Sequence, residues 1–221
     1  MCSPQILHKN TPKALISSLP RLTYDKNIIV IISEAEAQKA VDVLSRSTIL
    51  GIDTETRPSF KKGISHRVAL LQIANEEICF LFRLNRIGLP PCLVSLLERN
   101  DILKVGLSLK DDFMMLHGRC DFTPNAIIDL QPYVKSMGIA DMSLQKLYAN
   151  VFGKRISKSA RLSNWEADSL TEAQKQYEAI DAHACLQLYL HLETLQKNGN
   201  YIILEDSTEE TSITSQSHLE L

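Results

Sequence analysis

The chain has 221 residues, 44% of them apolar, which suits one globular domain with little room for a second. Its 24 Lys and Arg against 26 Asp and Glu give a net charge of −2, which argues against a uniformly basic nucleic-acid binder. Five cysteines, an odd set with no C-x-x-C pair, argue against a disulfide framework or a thiolate zinc site and fit a reducing compartment.

Residues 1–25, with Pro4, Pro12 and Pro20, read as an irregular N-terminal segment. They hold no apolar core of signal-peptide length before Pro12, and no run in the chain approaches membrane-spanning length. A soluble cytoplasmic protein, not engaged with a membrane, is the expectation. Residues 27–32 (N-I-I-V-I-I) predict a short strand. Ser33 and Glu36 form a capping box for a helix whose apolar side carries Ala40, Val41, Val43 and Leu44. Residues 48–55 predict a strand; residues 68–74 and 78–84, separated by Asn75-Glu76-Glu77, predict a hairpin, and the three together an antiparallel meander.

Beyond the meander, helix and strand alternate. Pro90-Pro91 opens a helix to Leu97, residues 103–109 predict a strand, and a helix starts near Asp111 or Asp112. A short apolar element covers Ile127 to Leu130. Ser143 caps a helix that Gly153 ends, and Thr171 starts a last helix reaching about Gln196. Residues 26–198 form the expected domain. Residues 199–221 read as an acidic, Ser/Thr-rich disordered tail; Glu205, Asp206, Glu209, Glu210 and Glu220 hold five negative charges, leaving the preceding 204 residues at about +3. A meander followed by helix–strand alternation indicates an α/β domain with a mixed sheet.

The most informative residues are Asp53-Thr54-Glu55, entered from the apolar run Ile49-Leu50-Gly51-Ile52. Side chains alternate along a strand, so Asp53 and Glu55 share a face. Like charges side by side at the end of a buried strand repel and are poorly solvated, and a divalent cation removes both penalties. The bland alternative is a pair of solvated acids. Asp112, like its neighbour Asp111, serves equally as a helix N-cap. Tyr177 and Asp181 lie four apart on the last helix and share a face; Asp181 sits among Ala179, Ile180, Ala182 and Ala184, although a surface acid would read the same way. Lys154, Arg155, Lys158 and Arg161 place four positive charges within eight residues, either a solvated loop or a clamp for a phosphate backbone. Trp165, the only Trp, reads as a structural anchor more readily than as a base-stacking platform.

Taken together, Asp53-x-Glu55 on a strand, Asp112 after a strand and Tyr177-x-x-x-Asp181 on a late helix resemble the three motifs of the DEDDy 3′–5′ exonucleases, particularly the ribonuclease D and Werner-syndrome exonuclease branch. The stretch Lys104-Val105-Gly106 to Asp112-Phe113 matches that branch's second motif, and this register selects Asp112 over Asp111. The run from Ser163-Asn164-Trp165 through Leu170-Thr171 and Gln174 to Asp181-Ala182 resembles the approach to its third motif. The sister DEDDh group carries His five residues before the last Asp, where this chain has Gln176, so the Tyr subclass is indicated.

The resemblance covers roughly residues 27–195 and implies a ribonuclease H-like fold: a five-stranded mixed sheet, second strand antiparallel, with helices on both faces. Residues 27–32 would add an edge strand. It also implies two divalent cations, Mg²⁺ or Mn²⁺, held by Asp53, Glu55, Asp112 and Asp181, with Tyr177 orienting the attacking water. The reaction implied is hydrolysis of DNA or RNA from a single-stranded 3′ end, releasing nucleoside 5′-monophosphates, with no obligate protein partner. Two other readings stand beside it. One is a catalytically silent nuclease fold that binds nucleic acid or protein; the other is a plain α/β domain with scattered acids.

Overall fold

A computed structural model describes residues 3–63 and 65–205. In chain order the elements are β1 (Gln5–His8), α1 (Lys13–Ser18), β2 (Asn27–Ile31), α2 (Glu34–Leu44), β3 (Ile49–Thr56), β4 (Val68–Ala74), β5 (Ile78–Phe82), α3 (Leu84–Ile87), α4 (Pro91–Glu98), β6 (Leu103–Gly106), α5 (Leu109–Leu116), β7 (Ile127–Asp129), α6 (Leu130–Ser136), α7 (Leu144–Phe152), α8 (Glu172–Asn198) and β8 (Tyr201–Leu204). The main sheet has the order β2-β5-β4-β3-β6-β7. Strand β4 runs antiparallel to both neighbours, β3 and β5, while the other pairings are parallel. This is the ribonuclease H-like α/β arrangement, with β2 as the additional edge strand.

Helices cover both faces. Leu50, Ile52, Leu71 and Ile73 pack with apolar residues of α2, α4 and α5. Leu70, Ala74, Cys79 and Leu81 on the opposite face pack with α6, α7 and α8. Every residue of β4 is buried, as expected for a central strand covered on both sides. The capping box of Ser33 and Glu36 forms as the sequence predicts, and a second one, Thr171 with Gln174, starts α8. Among the described residues no helix is long and apolar enough to cross a membrane, and Cys79, Cys92, Cys120 and Cys185 are free thiols.

Several boundaries differ from the sequence reading. Strand β6 stops at Gly106 instead of continuing to residue 109, because the Asp129 carboxylate accepts from the Ser108 and Leu109 amides (3.1 and 3.0 Å) and starts α5 there. Asp112 therefore lies inside the first turn of α5, not at its cap. The N-terminal segment is not irregular: β1 pairs in parallel with β8, so residues 201–204 of the expected tail are a strand. That pairing links two chain ends and has no local signature. The Asn150 side chain holds it from below, bonding the His8 amide and carbonyl at 2.8 and 2.7 Å. The rest of the expected tail, residues 206–221, lies outside the described residues.

Candidate active site

Strand β3 builds the site from one face and from its end. Gly51 faces α8 so closely that a Cβ there would overlap the Ala182 carbonyl oxygen. Only glycine permits this approach. Asp53 and Glu55, two and four residues further on, share the face of Gly51 and point toward α8. Asp181, next to Ala182, meets them from the helix, one turn beyond Tyr177. Thr54 points to the opposite face, where its Oγ1 donates to Asp112 Oδ1 of α5. A β-bulge between Glu55 and Thr56 ends the regular pairing with β4. Gly106 gives the second close approach, since a Cβ would press on Leu109 and the Ile52 carbonyl. Lys104, in the same strand, is fully buried and donates from Nζ to the Arg99 carbonyl. Their place in the second motif is thus one of packing.

Asp53, Glu55 and Asp181 thus meet between β3 and α8, and Asp112, held on the other side of β3 by Thr54, is near enough for its charge to act on Asp53 and Glu55. Burial pushes Asp53 well above the usual carboxylate range, and the charges of Asp181, Asp112 and Glu55 push it further. Glu55 is raised to about 8 by burial and then by Asp181 and Asp112; Arg161 opposes this. Asp181, 7% exposed, is raised to about 7 by burial, against a hydrogen bond from Tyr177. Asp112 is raised to about 6, mainly by burial. Asp111 is exposed. The Tyr177 phenol is pushed up by burial and by Asp181 and Glu55, so it stays protonated and donates. Among the described residues no group of three or more His, Cys, Asp or Glu side chains is already arranged to hold a metal ion.

Trp165 is fully buried with its ring roughly parallel to that of Tyr177, centroids 6.3 Å apart, and its indole N–H is turned toward Glu55 without completing a hydrogen bond. It anchors the 163–170 segment under the site, as the sequence suggested. Glu166 extends that anchoring to the β3–β4 connection, meeting Arg57 at 3.2 Å and His66 at 3.5 Å. Arg83 and Arg86 hold the same segment through the carbonyls of Ala167 and Asp168.

The four cations of the 154–161 loop do not share one surface. Arg161 lies close enough to Glu55 to lower its carboxyl. Arg155 and Lys158 line a cleft of about 400 Å³, and Lys154 lines a different one of about 220 Å³ with Tyr24 and His183. Gln176 turns to the N-terminal segment and accepts from the Tyr24 amide at 3.2 Å.

Sequence reading missed Glu178. It is fully buried, neither carboxylate oxygen has a hydrogen-bond partner, and burial together with Glu55, Asp181 and Asp53 pushes it well above the usual range. Its spacing from Ala182, one turn on along the face that meets β3, was the available signal.

Residues 28–196 match the 3′–5′ exonuclease family. The chain belongs to the DEDDy-type 3′–5′ exonucleases. It is 33% identical over 172 residues to the bifunctional 3′–5′ exonuclease/ATP-dependent helicase WRN of Mus musculus, covering 75% of this chain and 12% of that protein. It is 30% identical over 187 residues to a 3′–5′ exonuclease of Arabidopsis thaliana, covering 79% of this chain and 64% of the other. In fold it resembles the Nibbler exonuclease domain of Aedes aegypti (TM-score 0.74, 21% identity, 81% of this chain and 94% of that one). It also resembles Escherichia coli RNase D (TM-score 0.70, 19% identity, 79% and 46%). The chain thus spans less than two thirds of the mouse and Arabidopsis proteins. Asp53, Glu55, Asp112, Tyr177 and Asp181, the residues in which the sequence resembles the DEDDy motifs, are all partly or wholly buried.

Proposed function

We propose that this chain is a metal-dependent 3′–5′ exonuclease that hydrolyses the terminal phosphodiester of DNA or RNA and releases nucleoside 5′-monophosphates. The observation that carries the reading is the set of four largely buried acids, in which Asp181 and Asp112 raise both Asp53 and Glu55, with a tyrosine hydrogen-bonded to Asp181 at its edge. A pocket of that charge is unfavourable alone and favourable around cations. The donor set is all oxygen and includes no thiolate or imidazole, which suits Mg²⁺ or Mn²⁺. Asp53, Glu55, Asp112 and Asp181 would hold two such ions, after adjustments such as turning the Asp112 oxygen from Thr54. Bound there, the ions supply a nucleophile at neutral pH and offset charge on the reacting phosphate.

The chain's own residues do the rest. Tyr177 donates a hydrogen bond, and its raised pKa makes it a positioning group rather than a base, so it fixes the attacking water beside Asp181. Trp165 and the Glu166 contacts keep the segment behind Tyr177 in place. Arg161 offers a cation next to Glu55 for the terminal phosphate, and Lys154, Arg155 and Lys158 offer further contacts to a backbone. Incubating end-labelled single-stranded DNA, duplex DNA and RNA with Mg²⁺ or Mn²⁺ tests the reading. Stepwise shortening from the 3′ end, abolished by Asp53→Ala, is expected. Retention of every substrate without shortening would make this a silent binding module.

A further inference from the structure

The family match begins at residue 28, and β1, α1 and residues 19–26 precede it. This segment is tightly fastened. The Thr11 amide bonds the buried Asp141 carboxylate at 2.7 Å. The backbone of Arg155 is held between Pro20 and Leu22, at 2.9 Å each, and its Nε donates to the Leu19 carbonyl at 3.0 Å. The segment therefore forms a fixed wall opposite the basic loop.

Two clefts run along that wall. The nearer one, about 300 Å³, lies between residues 21–23 and the first turns of α8 and includes Tyr177. The farther one, about 400 Å³, lies between α1 and residues 155–158; its cations are Lys13, Lys146, Arg155 and Lys158, and no acid lines it. Lys146 is paired at 2.7 Å with Asp141, which is buried, so the net positive charge facing the cleft comes from the other three. Ser157 lines both clefts, so they adjoin at that residue, the nearer one beginning at Tyr177. Glu172, the acid on the nearer stretch, is paired with Lys175. The nearer stretch also presents Leu22, Ala173 and Ile180, an apolar surface against which bases can lie.

We propose that the two adjoining clefts act as one furrow that carries the upstream part of a nucleic-acid strand whose 3′ end sits at Tyr177, and that Lys13, Arg155 and Lys158 form a distal phosphate subsite. The proposal rests on the exonuclease reading and deepens it. The subsite is reached only by a strand long enough to run the furrow, so it acts on long substrates and not on the shortest ones. Lys13 and Lys158 are exposed, and neither side chain has a hydrogen bond or ion pair among the described residues.

The test measures anisotropy of 5′-labelled single strands of about 3 and about 12 nucleotides, lengths that bracket a multi-subsite track, with Ca²⁺ to hold the site without turnover. Lys13→Glu should lower the ratio of long- to short-strand affinity by about tenfold, and Lys13→Ala should lower the long strand's salt slope by about 0.7, the value for one single-strand phosphate contact. Lys13→Arg should restore both. An unchanged ratio, or equal weakening of both lengths, would overturn the subsite. If wild-type protein shortens neither strand with Mg²⁺ or Mn²⁺, the exonuclease reading fails separately, and the binding ratio still decides the furrow.

Discussion

Replacing Asp181 with Asn removes one negative charge from the buried quartet while keeping the side chain's shape and an oxygen to accept the Tyr177 hydroxyl. Asp181 is lifted from 3.8 to about 7. That is roughly three units, and at about 1.4 kcal/mol each it sets an upper bound near 4 kcal/mol on what the ionised group takes from folding at about pH 8. A buried amide recovers only part of this, since its own desolvation costs about 1–3 kcal/mol. Without metal, Asp181→Asn should therefore stabilise the protein by about 1–3 kcal/mol at about pH 8. At about pH 5 the wild-type group is already protonated in the folded state, so the gain should shrink below about 1 kcal/mol. Urea unfolding followed by circular dichroism in EDTA measures both values. The same variant should lose more than about 100-fold in exonuclease rate, the upper end of what outer-shell changes cost metal sites. A variant less stable than wild type at both pH values would refute the premise that burying the ionised Asp181 carboxylate opposes folding.

Other consequences follow from the same geometry. The folded pKa values of Asp53, Glu55, Asp112 and Asp181 are raised, so the folded state holds more protons than the unfolded chain, and their contribution to stability declines as pH rises from about 4 to about 8. Thermal melts of EDTA-treated protein should show that decline, and Mg²⁺ or Mn²⁺ should raise the melting temperature most at the alkaline end; a metal effect independent of pH would contradict it. Tyr177→Phe should reduce kcat by about 100-fold with little change in KM, as loss of water positioning requires; steady-state kinetics on a labelled strand separate the two. Glu178→Gln should raise the melting temperature at about pH 8, because it removes a buried acid that has no partner. Gly51→Ala should destabilise by about 1–3 kcal/mol or more and reduce activity with it, because the new Cβ drives α8 off β3; a variant with wild-type stability would show that this close contact is not needed.

The legible parts of the fold were those written in local chemistry. The capping box at Ser33, the hairpin at Asn75 and the alternation of β3 each depend on neighbours in sequence, and they predict α2, the β4–β5 pairing and the shared face of Asp53 and Glu55. What was not legible depends on partners far along the chain. The Asp129 carboxylate sets the start of α5 from about twenty residues away, which ends β6 early and moves Asp112 into the first helical turn. The β1–β8 pair joins residues near opposite ends, and Pro-rich flanks concealed it. Within the candidate site, Glu178 was passed over because a single acid beside Tyr177 carries no motif; only the packing of Ala182 on Gly51 shows that its face of α8 is inward. The 154–161 loop showed its charge but not its fold. Its cations diverge because Arg155 is held by residues 19–22, a contact no spacing reveals.

The central claim is that Asp53, Glu55, Asp112 and Asp181 together form a seat for hard divalent cations. Anomalous diffraction from crystals soaked in Mn²⁺ tests it most directly. The account predicts manganese peaks within ligating reach of Asp53 and its three companions, lost in Asp53→Ala. A fully soaked crystal with no peak among these four carboxylates would contradict it.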